Sequence, residues 1–329
     1  MKKVDLSVVF PAYNVEKYII NSVHSVLKQR GLNFEVIIVD DGSTDSTLNL
    51  VKSAFKDNSK VKIIHQNNKG SGEARNTGLK YALGKWIFFM DPDDIIANDM
   101  FEKIGVLLKS QSQEFDFMLF GSQTRNFHDD SIVNQKFNYN SPKLIKTDEI
   151  IEFINSFKEK DTNLFYSVWT KIIKKEFIIK NNLLFTKHKT SQDAIFSIKL
   201  YDRANSILFV PEEFYYYFAK REGSAQTRNN PNKINNEIVV VNETRKMFIN
   251  KGIKNDAFLS YFIMLVVKSE ISHMNKENYS TFHKIFREKK SKEILKYVKF
   301  KKLNLRYKIF YFTSMNSFIS YLLSGLIKN

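Results

Sequence analysis

The sequence predicts an α/β fold, with a mainly parallel sheet flanked by helices and a mostly helical C-terminal region. Three observations carry the prediction. Short apolar or β-branched runs recur at 6–10, 35–39, 61–65, 86–90 and 115–120. Stretches with helical apolar spacing separate them, the pattern of parallel strands joined by crossover helices. Beyond about residue 230 the strand pattern ceases and helical runs such as 258–267 take over.

The first strand, 6–10, closes on Pro11. Ile19, Val23, Val26 and Leu27 then share one face of a helix, for which Asn14 is the expected cap. The second strand runs into Asp40 and Asp41. A second helix follows from the serine-rich 43–46 cluster, with Leu48, Val51 and Phe55 on one face. Residues 121–185 are less regular and predict a connecting segment with a helix at 148–157. A helix at 193–201 carries Ala194, Ile195, Ile198 and Tyr201 at core spacing, followed by a strand at 207–210 and the aromatic run 214–218. The polar stretch 228–236 marks a boundary. Two domains result, 1–229 and 230–329, which suits 329 residues at roughly 150 per domain.

Composition narrows the classes. With 43% hydrophobic and 14% aromatic residues the chain is not a disordered one. Zero cysteine removes disulfides, thiolate zinc sites, iron–sulfur clusters and cysteine nucleophiles. Six histidines without an HExxH argue against a zinc hydrolase. The apolar run after Lys2 and Lys3 is too short for a signal peptide, so a cytoplasmic location is expected. No segment reaches ~20 predominantly apolar residues. The uncharged 309–327 holds Thr313, Ser314, Asn316, Ser317, Ser320 and Ser324, and reads as a buried or interfacial helix.

In open parallel sheets ligands bind beyond the carboxyl ends of the strands. Three expected strand ends carry polar clusters: Pro11-Ala12-Tyr13-Asn14, Asp40-Asp41-Gly42-Ser43-Thr44-Asp45 and Asp91-Pro92-Asp93-Asp94. Each alone could be a polar turn. Carboxylates one residue apart on a turn stiffened by Pro92 suit a hard cation and a neighbouring hydroxyl, with substrate phosphates completing the shell. An EF-hand would need glycine at its sixth position, where Ile96 stands, and no Walker GxxxxGK[ST] occurs.

These clusters, together with Asn67-Asn68-Lys69-Gly70 and Ala74-Arg75-Asn76-Thr77-Gly78, resemble the family 2 glycosyltransferases in order, spacing and strand context over about 220 residues. The resemblance implies a GT-A (Rossmann-like) fold, a UDP-sugar donor, Mn²⁺ or Mg²⁺, and inversion at the anomeric carbon. On this sequence it lays Pro11, Ala12 and Tyr13 along the nucleoside and gives Asp41 the uracil N3–H, with Asp40 supporting the turn. It sets Arg75 on the base or diphosphate, Asp91 on the ribose and Asp93 on the metal, and leaves Asp94 structural. Gly70 and Gly78 would allow close backbone approach. Asp193 becomes the catalytic base, in Ser191-Gln192-Asp193-Ala194, where the family's usual Glu-Asp is Gln-Asp. A plain helix-capping Asp is the competing reading. Trp169 of Trp169-Thr170-Lys171 is either a platform for an acceptor sugar or a core residue. Arg221, after the aromatic run, is either a diphosphate clamp or a surface arginine.

The formal charge of +16 is uneven. Residues 231–329 carry 19 Lys+Arg against 7 Asp+Glu, leaving 1–230 nearly balanced. Between 284 and 308 there are 11 basic and 2 acidic residues, interleaved with aromatic and aliphatic ones. A solvated helix face is one reading; peripheral binding to an anionic membrane is the other, and it agrees with a glycan acceptor that is lipid-linked. Nucleic acid is not an expected partner, since no nucleic-acid motif is present. The expectation is therefore a metal-dependent inverting enzyme of bacterial surface-glycan assembly, with 1–120 as its nucleotide half and 121–229 as its acceptor half. A non-catalytic glycan-binding module and a nucleotidyltransferase are the alternatives.

Overall fold

The computed structural model describes residues 3–126, 131–132, 141–157, 162–187, 191–219, 233–252, 257–272, 294–303 and 305–314. The strands are β1 Leu6–Ala12, β2 Phe34–Asp40, β3 Val61–His65, β4 Trp86–Phe89, β5 Ile95–Ile96, β6 Phe117–Asn126, β7 Lys143–Lys146, β8 Lys171–Lys174 and β9 Ser206–Ala219. The helices among them are α1 Ile19–Leu27, α2 Thr47–Phe55, α3 Ser71–Tyr81, α4 Met100–Ser110, α5 Ile150–Asn155, α6 Thr162–Tyr166, α7 Lys175–Lys180 and α8 Gln192–Arg203.

One mixed sheet has the order β3-β2-β1-β4-β8-β6-β9-β5, with β7 also on β9. Its β3-β2-β1-β4 half is parallel, as the alternating pattern requires. Every residue of β1 is buried, which is why Leu-Ser-Val-Val-Phe reads as nearly continuous apolar sequence. Helix α3 packs so closely on β1 that a Cβ at Gly78 would lie 2.3 Å from Val9 Cγ1. Gly78 thus serves helix–strand packing. Strand order reverses at β1, with β2 on one side and β4 on the other, so a crevice opens at their carboxyl ends.

The other half differs from the expected connecting segment. Strand β8 enters antiparallel between β4 and β6, and β7 pairs antiparallel with β9. The segments 207–210 and 214–218 form one strand, β9. It stays paired with β6, with register shifts at Phe120/Gly121 and Gly121/Ser122. Asn14 does not cap α1, whose N-cap is Tyr18.

The chain divides into two compact units, 1–150 with 163–228, and 151–162 with 229–329. In the second, α9 Lys233–Asn250 and α10 Ala257–Ser272 bury Val240, Val241, Phe248, Phe258, Ile263 and Met264. In its described part the basic stretch 284–308 is not one unbroken helix: Phe300–Lys302 is a 3-10 turn ahead of a helix at Leu305–Ser314. Ile294, Leu295, Leu303 and Tyr307 are buried, so these apolar residues serve the core of the unit. Residues 284–293 and 315–329 lie outside the described residues. No described helix is long and apolar enough to cross a membrane.

Candidate active site

The crevice at the switch point is built by two clasped loops. Asn14, at φ +52°, accepts the Thr44 N–H through Oδ1 at 2.8 Å and donates from Nδ2 to Thr44 Oγ1 at 3.1 Å. Val15 N–H donates to Thr47 Oγ1 at 2.8 Å, and Ser46 N–H to Glu16 Oε2 at 2.9 Å. The ends of β1 and β2 are thereby fixed side by side. Pro11 and Ala12 are buried within β1, while Tyr13 at the strand end is 41% exposed.

Asp40 is fully buried, its Oδ2 at 2.7 Å from His65 Nδ1. Asp41 is also buried and organises the next loop. Its Oδ1 accepts Gln66 Nε2 at 2.7 Å and Lys69 N–H at 2.9 Å, and its Oδ2 accepts Gly70 N–H at 2.7 Å. An ionised carboxylate has about four acceptor positions, so the loop takes three of them and leaves one on Oδ2. Gly70 sits at φ +90°, a turn that only glycine makes without strain, and α3 begins at the next residue.

Arg75, one turn into α3, is buried; Nη2 donates to Asp91 Oδ1 at 2.7 Å and the guanidinium lies over the Phe185 ring at 5.3 Å. Its Nε is buried without a hydrogen-bond partner. It is no surface arginine. Asp91 stays 28% exposed, and its backbone N–H donates to Tyr215 Oη at 3.2 Å. Asp94 is fully buried, its two oxygens accepting Tyr215 Oη–H at 2.7 Å and Phe218 N–H at 3.0 Å. Burial first, and the nearby Asp91 charge second, hold the Asp94 carboxyl well above the ordinary carboxylate range. Asp93 is half-buried on the same turn.

Asp193 is the second residue of α8 and reaches the same place. Burial raises its carboxyl above the ordinary value, Arg75 opposes this, and Asp91 adds to it. Backbone N–H groups of the first turn favour its ionised form. Arg75, Asp91 and Asp193 thus share one electrostatic neighbourhood. Among the described residues no three His, Asp or Glu side chains are grouped to enclose a metal by themselves. The donor set that the Asp91–Asp93 turn offers is carboxylate oxygen on a partly open turn. It fits a hard divalent cation whose shell a diphosphate completes.

The sequence profile of Glycosyl transferase family 2 matches residues 7–181. The chain belongs to that family. Glycosyltransferase GlyG of Streptococcus pneumoniae is 32% identical over 224 residues, covering 67% of this chain and 72% of GlyG. The poly(ribitol-phosphate) beta-N-acetylglucosaminyltransferase TarS of Staphylococcus aureus is 32% identical over 222 residues, 66% of this chain but 36% of TarS. The chain covers 62% of the glycosyltransferase EpsJ of Bacillus subtilis, at 27% identity. In fold it resembles S. aureus TarS 1–349 in complex with UDP-GlcNAc, with TM-score 0.66 and 22% identity over 98% of this chain and 90% of that one.

For a glycosyltransferase of this family the arrangement brings together most of the residues singled out in the sequence. Pro11, Ala12, Tyr13, Asp41, Arg75, Asp91, Asp93 and Asp193 lie on the carboxyl ends of β1, β2 and β4 and on the first turns of α3 and α8. Arg221 lies outside the described residues. Trp169 is buried, stacked on Tyr215 at 4.5 Å and on Tyr217 at 5.7 Å; it is a core ring, and both tyrosines come from β9.

Two residues escaped the sequence reading. Lys171 is fully buried, its Nζ donating to the carbonyls of Leu164 at 2.8 Å, Phe165 at 3.3 Å and Ser167 at 2.5 Å, and to Thr170 Oγ1 at 3.2 Å. Burial pushes its ammonium well below the ordinary value, opposed by the charge of Asp193. The four surrounding acceptors require a donor in every direction, and the protonated form supplies the most donors. Tyr215, read only as part of an aromatic run, holds the Asp91–Asp94 turn through one hydroxyl.

Proposed function

We propose that this glycosyltransferase moves a sugar from a UDP donor to a carbohydrate hydroxyl, with inversion and with Mn²⁺ or Mg²⁺, in the assembly of a bacterial surface glycan. The single observation that carries the reading is the convergence of Arg75, Asp91 and Asp193 at the switch point of the sheet. Residues 1–229 form the catalytic domain in this reading.

In the donor site Tyr13, exposed at the end of β1, packs on the base. The remaining acceptor position of Asp41 takes the uracil N3–H. Asp91 holds the ribose, and Arg75 meets the negative charge of the diphosphate, for which its unpartnered Nε supplies a further donor. Asp93, with the phosphate oxygens, would hold the divalent cation, which when bound neutralises charge on the leaving diphosphate. Asp193 accepts the proton of the acceptor hydroxyl as that oxygen attacks the anomeric carbon from the face opposite UDP. A base must be ionised at working pH yet basic enough to take a proton. A carboxyl raised by burial and checked by Arg75 meets both needs. Lys296, Lys299 and Lys301, exposed on the described part of the basic segment, would face an anionic membrane on its cytoplasmic side.

The experiment is a panel of UDP-sugars with Mn²⁺, read as UDP release with and without glycan acceptors. UDP-GlcNAc is the first donor to try, since TarS 1–349 is solved with it. Turnover supports the reading. Pyrophosphate release from a nucleoside triphosphate would replace it with a nucleotidyltransferase, and glycan binding without turnover with a binding module.

A further inference from the structure

The family's usual Glu-Asp at the head of α8 is Gln192-Asp193 in this chain. Gln192 is buried, and its side chain points into the protein. Its Nε2 donates to Ser71 Oγ, the first residue of α3. Its Oε1 lies over Gly72, where a Cβ would sit 2.0 Å from that oxygen and 2.9 Å from the Thr186 carbonyl oxygen. One neutral side chain therefore joins the first turns of α3 and α8, in a slot that glycine leaves open.

What the two helices carry gives the join its meaning. Ahead of Ser71, the N–H groups of Lys69 and Gly70 bind Asp41; one turn beyond it, Arg75 binds Asp91. Ser71 and Arg75 are four residues apart and share a helix face. Helix α8 carries Asp193, and it is entered through Ser191 at φ +60°. A residue other than glycine keeps that conformation only where its surroundings fix it. We propose that Gln192 is a positioning residue that ties α8 to α3 through Ser71 and so holds Asp193 in register with the Arg75–Asp91 pair. The proposal rests on the reading of Asp193 as the base.

The amide suits this position. Among the described residues, the groups whose charge reaches Asp193 are Arg75 on α3, Asp91 on the turn after β4 and Lys171 on β8. A carboxylate at 192 would add a further negative charge beside two acids, whereas the amide donates to Ser71 and stays neutral.

The test uses the full chain with Gln192→Met and Ser71→Ala, singly and together. Hydrogen exchange across the first turn of α8 should rise in both single variants. With the UDP-sugar that the donor panel identifies, kcat should fall about 10-fold in each, and no further in the double variant, because one tie is broken in all three. UDP affinity measured calorimetrically should stay within about twofold, which a general loss of structure would not allow. Gln192→Glu should move the acid limb of kcat/KM to higher pH. Unchanged exchange, kcat within twofold of wild type in both single variants, or additive losses in the double variant would overturn the proposal. Asp193→Asn in the same assay separates the two readings. If it retains transfer, Asp193 is not the base; if it is inactive while Gln192→Met and Ser71→Ala are normal, only the positioning role falls.

Discussion

Replacing Tyr215 by phenylalanine removes one oxygen and keeps the ring. That oxygen donates to Asp94 Oδ2 at 2.7 Å and accepts the Asp91 N–H at 3.2 Å. The ring contacts, stacked on Trp169 at 4.5 Å and edge-on to Phe88 at 6.3 Å, survive the change. The loss is two hydrogen bonds at a fully buried position, one of them to a carboxyl group. A neutral bond contributes about 0.5–1.5 kcal/mol and one to a charged group about 1.5–3 kcal/mol, which gives about 2–4 kcal/mol. Asp94 is already pushed toward its protonated form by burial and by Asp91, so the lower half of that range is expected. For a unit of roughly 200 residues each kcal/mol shifts the midpoint by about 2–4 °C. Thermal unfolding followed by calorimetry should therefore fall by about 4–12 °C. UDP affinity should fall with it, since the Asp91 N–H loses its tie to β9 and the Phe218 N–H bond to Asp94 is left to hold the turn there. A midpoint within 2 °C of wild type together with unchanged UDP affinity would refute the assignment of this hydroxyl as the anchor of the turn.

Three further outcomes are expected. Arg75→Met removes the charge that opposes the raised carboxyl of Asp193. The value rises further, and because the base works only when ionised, the acid limb of kcat/KM moves to higher pH; a profile left in place would remove the coupling. Asp93→Ala should lose Mn²⁺-dependent UDP binding in calorimetry and reduce transfer at least 100-fold, whereas wild-type activity in EDTA would sink the metal assignment. Charge reversal of Lys296, Lys299 and Lys301 to Glu should weaken co-sedimentation with anionic vesicles by about 1 kcal/mol or more per residue and leave donor hydrolysis unchanged, and equal binding would exclude the membrane role.

What was legible in the sequence was local. Strands β1, β2 and β4 announce themselves because both faces are buried and the apolar runs are nearly unbroken, each ending where a polar cluster begins, whereas the edge strand β3 is only partly covered and shows through Val61, Ile63 and Ile64. The Asp91-Pro92-Asp93-Asp94 turn could be read for the same reason. What was missed depends on partners far away in the chain. Asn14 precedes a helix and looks like its cap, yet its side chain closes on Thr44, 30 residues on. Strand β8 is only four residues long and carries lysine at both ends, too short and too charged for a period-two signal. Pro211, Glu212 and Glu213 interrupt the apolar pattern of β9, while the irregular pairing with β6 accommodates them. Lys171, seen in the sequence only as the end of Trp169-Thr170-Lys171, gains its role from three carbonyls of 164–167 that close around it.

The same distinction orders the acids of the site. Asp40, Asp41, Asp91, Asp93, Asp94 and Asp193 would repel one another if each relied on water alone, but several are satisfied by a different device. Asp40 has His65 on Oδ2, its Oδ1 being buried without a partner, Asp41 has backbone N–H groups, Asp94 has a phenol and a backbone N–H, and Asp91 has Arg75. Asp40, Asp41 and Asp94 are also the most deeply buried, and their fixed donors tie them to the loops, with one acceptor position left on Asp41 Oδ2. Asp91 and Asp93 retain exposure, and Asp193 is balanced between burial and Arg75. In the proposed reading a UDP donor with its cation would therefore meet a site in which Asp40, Asp41 and Asp94 hold the loops, Asp41 keeping one position for the base, while Asp91, Asp93 and Asp193 are left for the ribose, the cation and the proton. In that division Arg75 is decisive, because among the described residues it is the cation that pairs with Asp91 and whose charge reaches Asp193, and bound diphosphate would compete for it. Donor binding would then weaken the restraint that Arg75 places on Asp193 and raise its basicity when the acceptor hydroxyl must lose its proton.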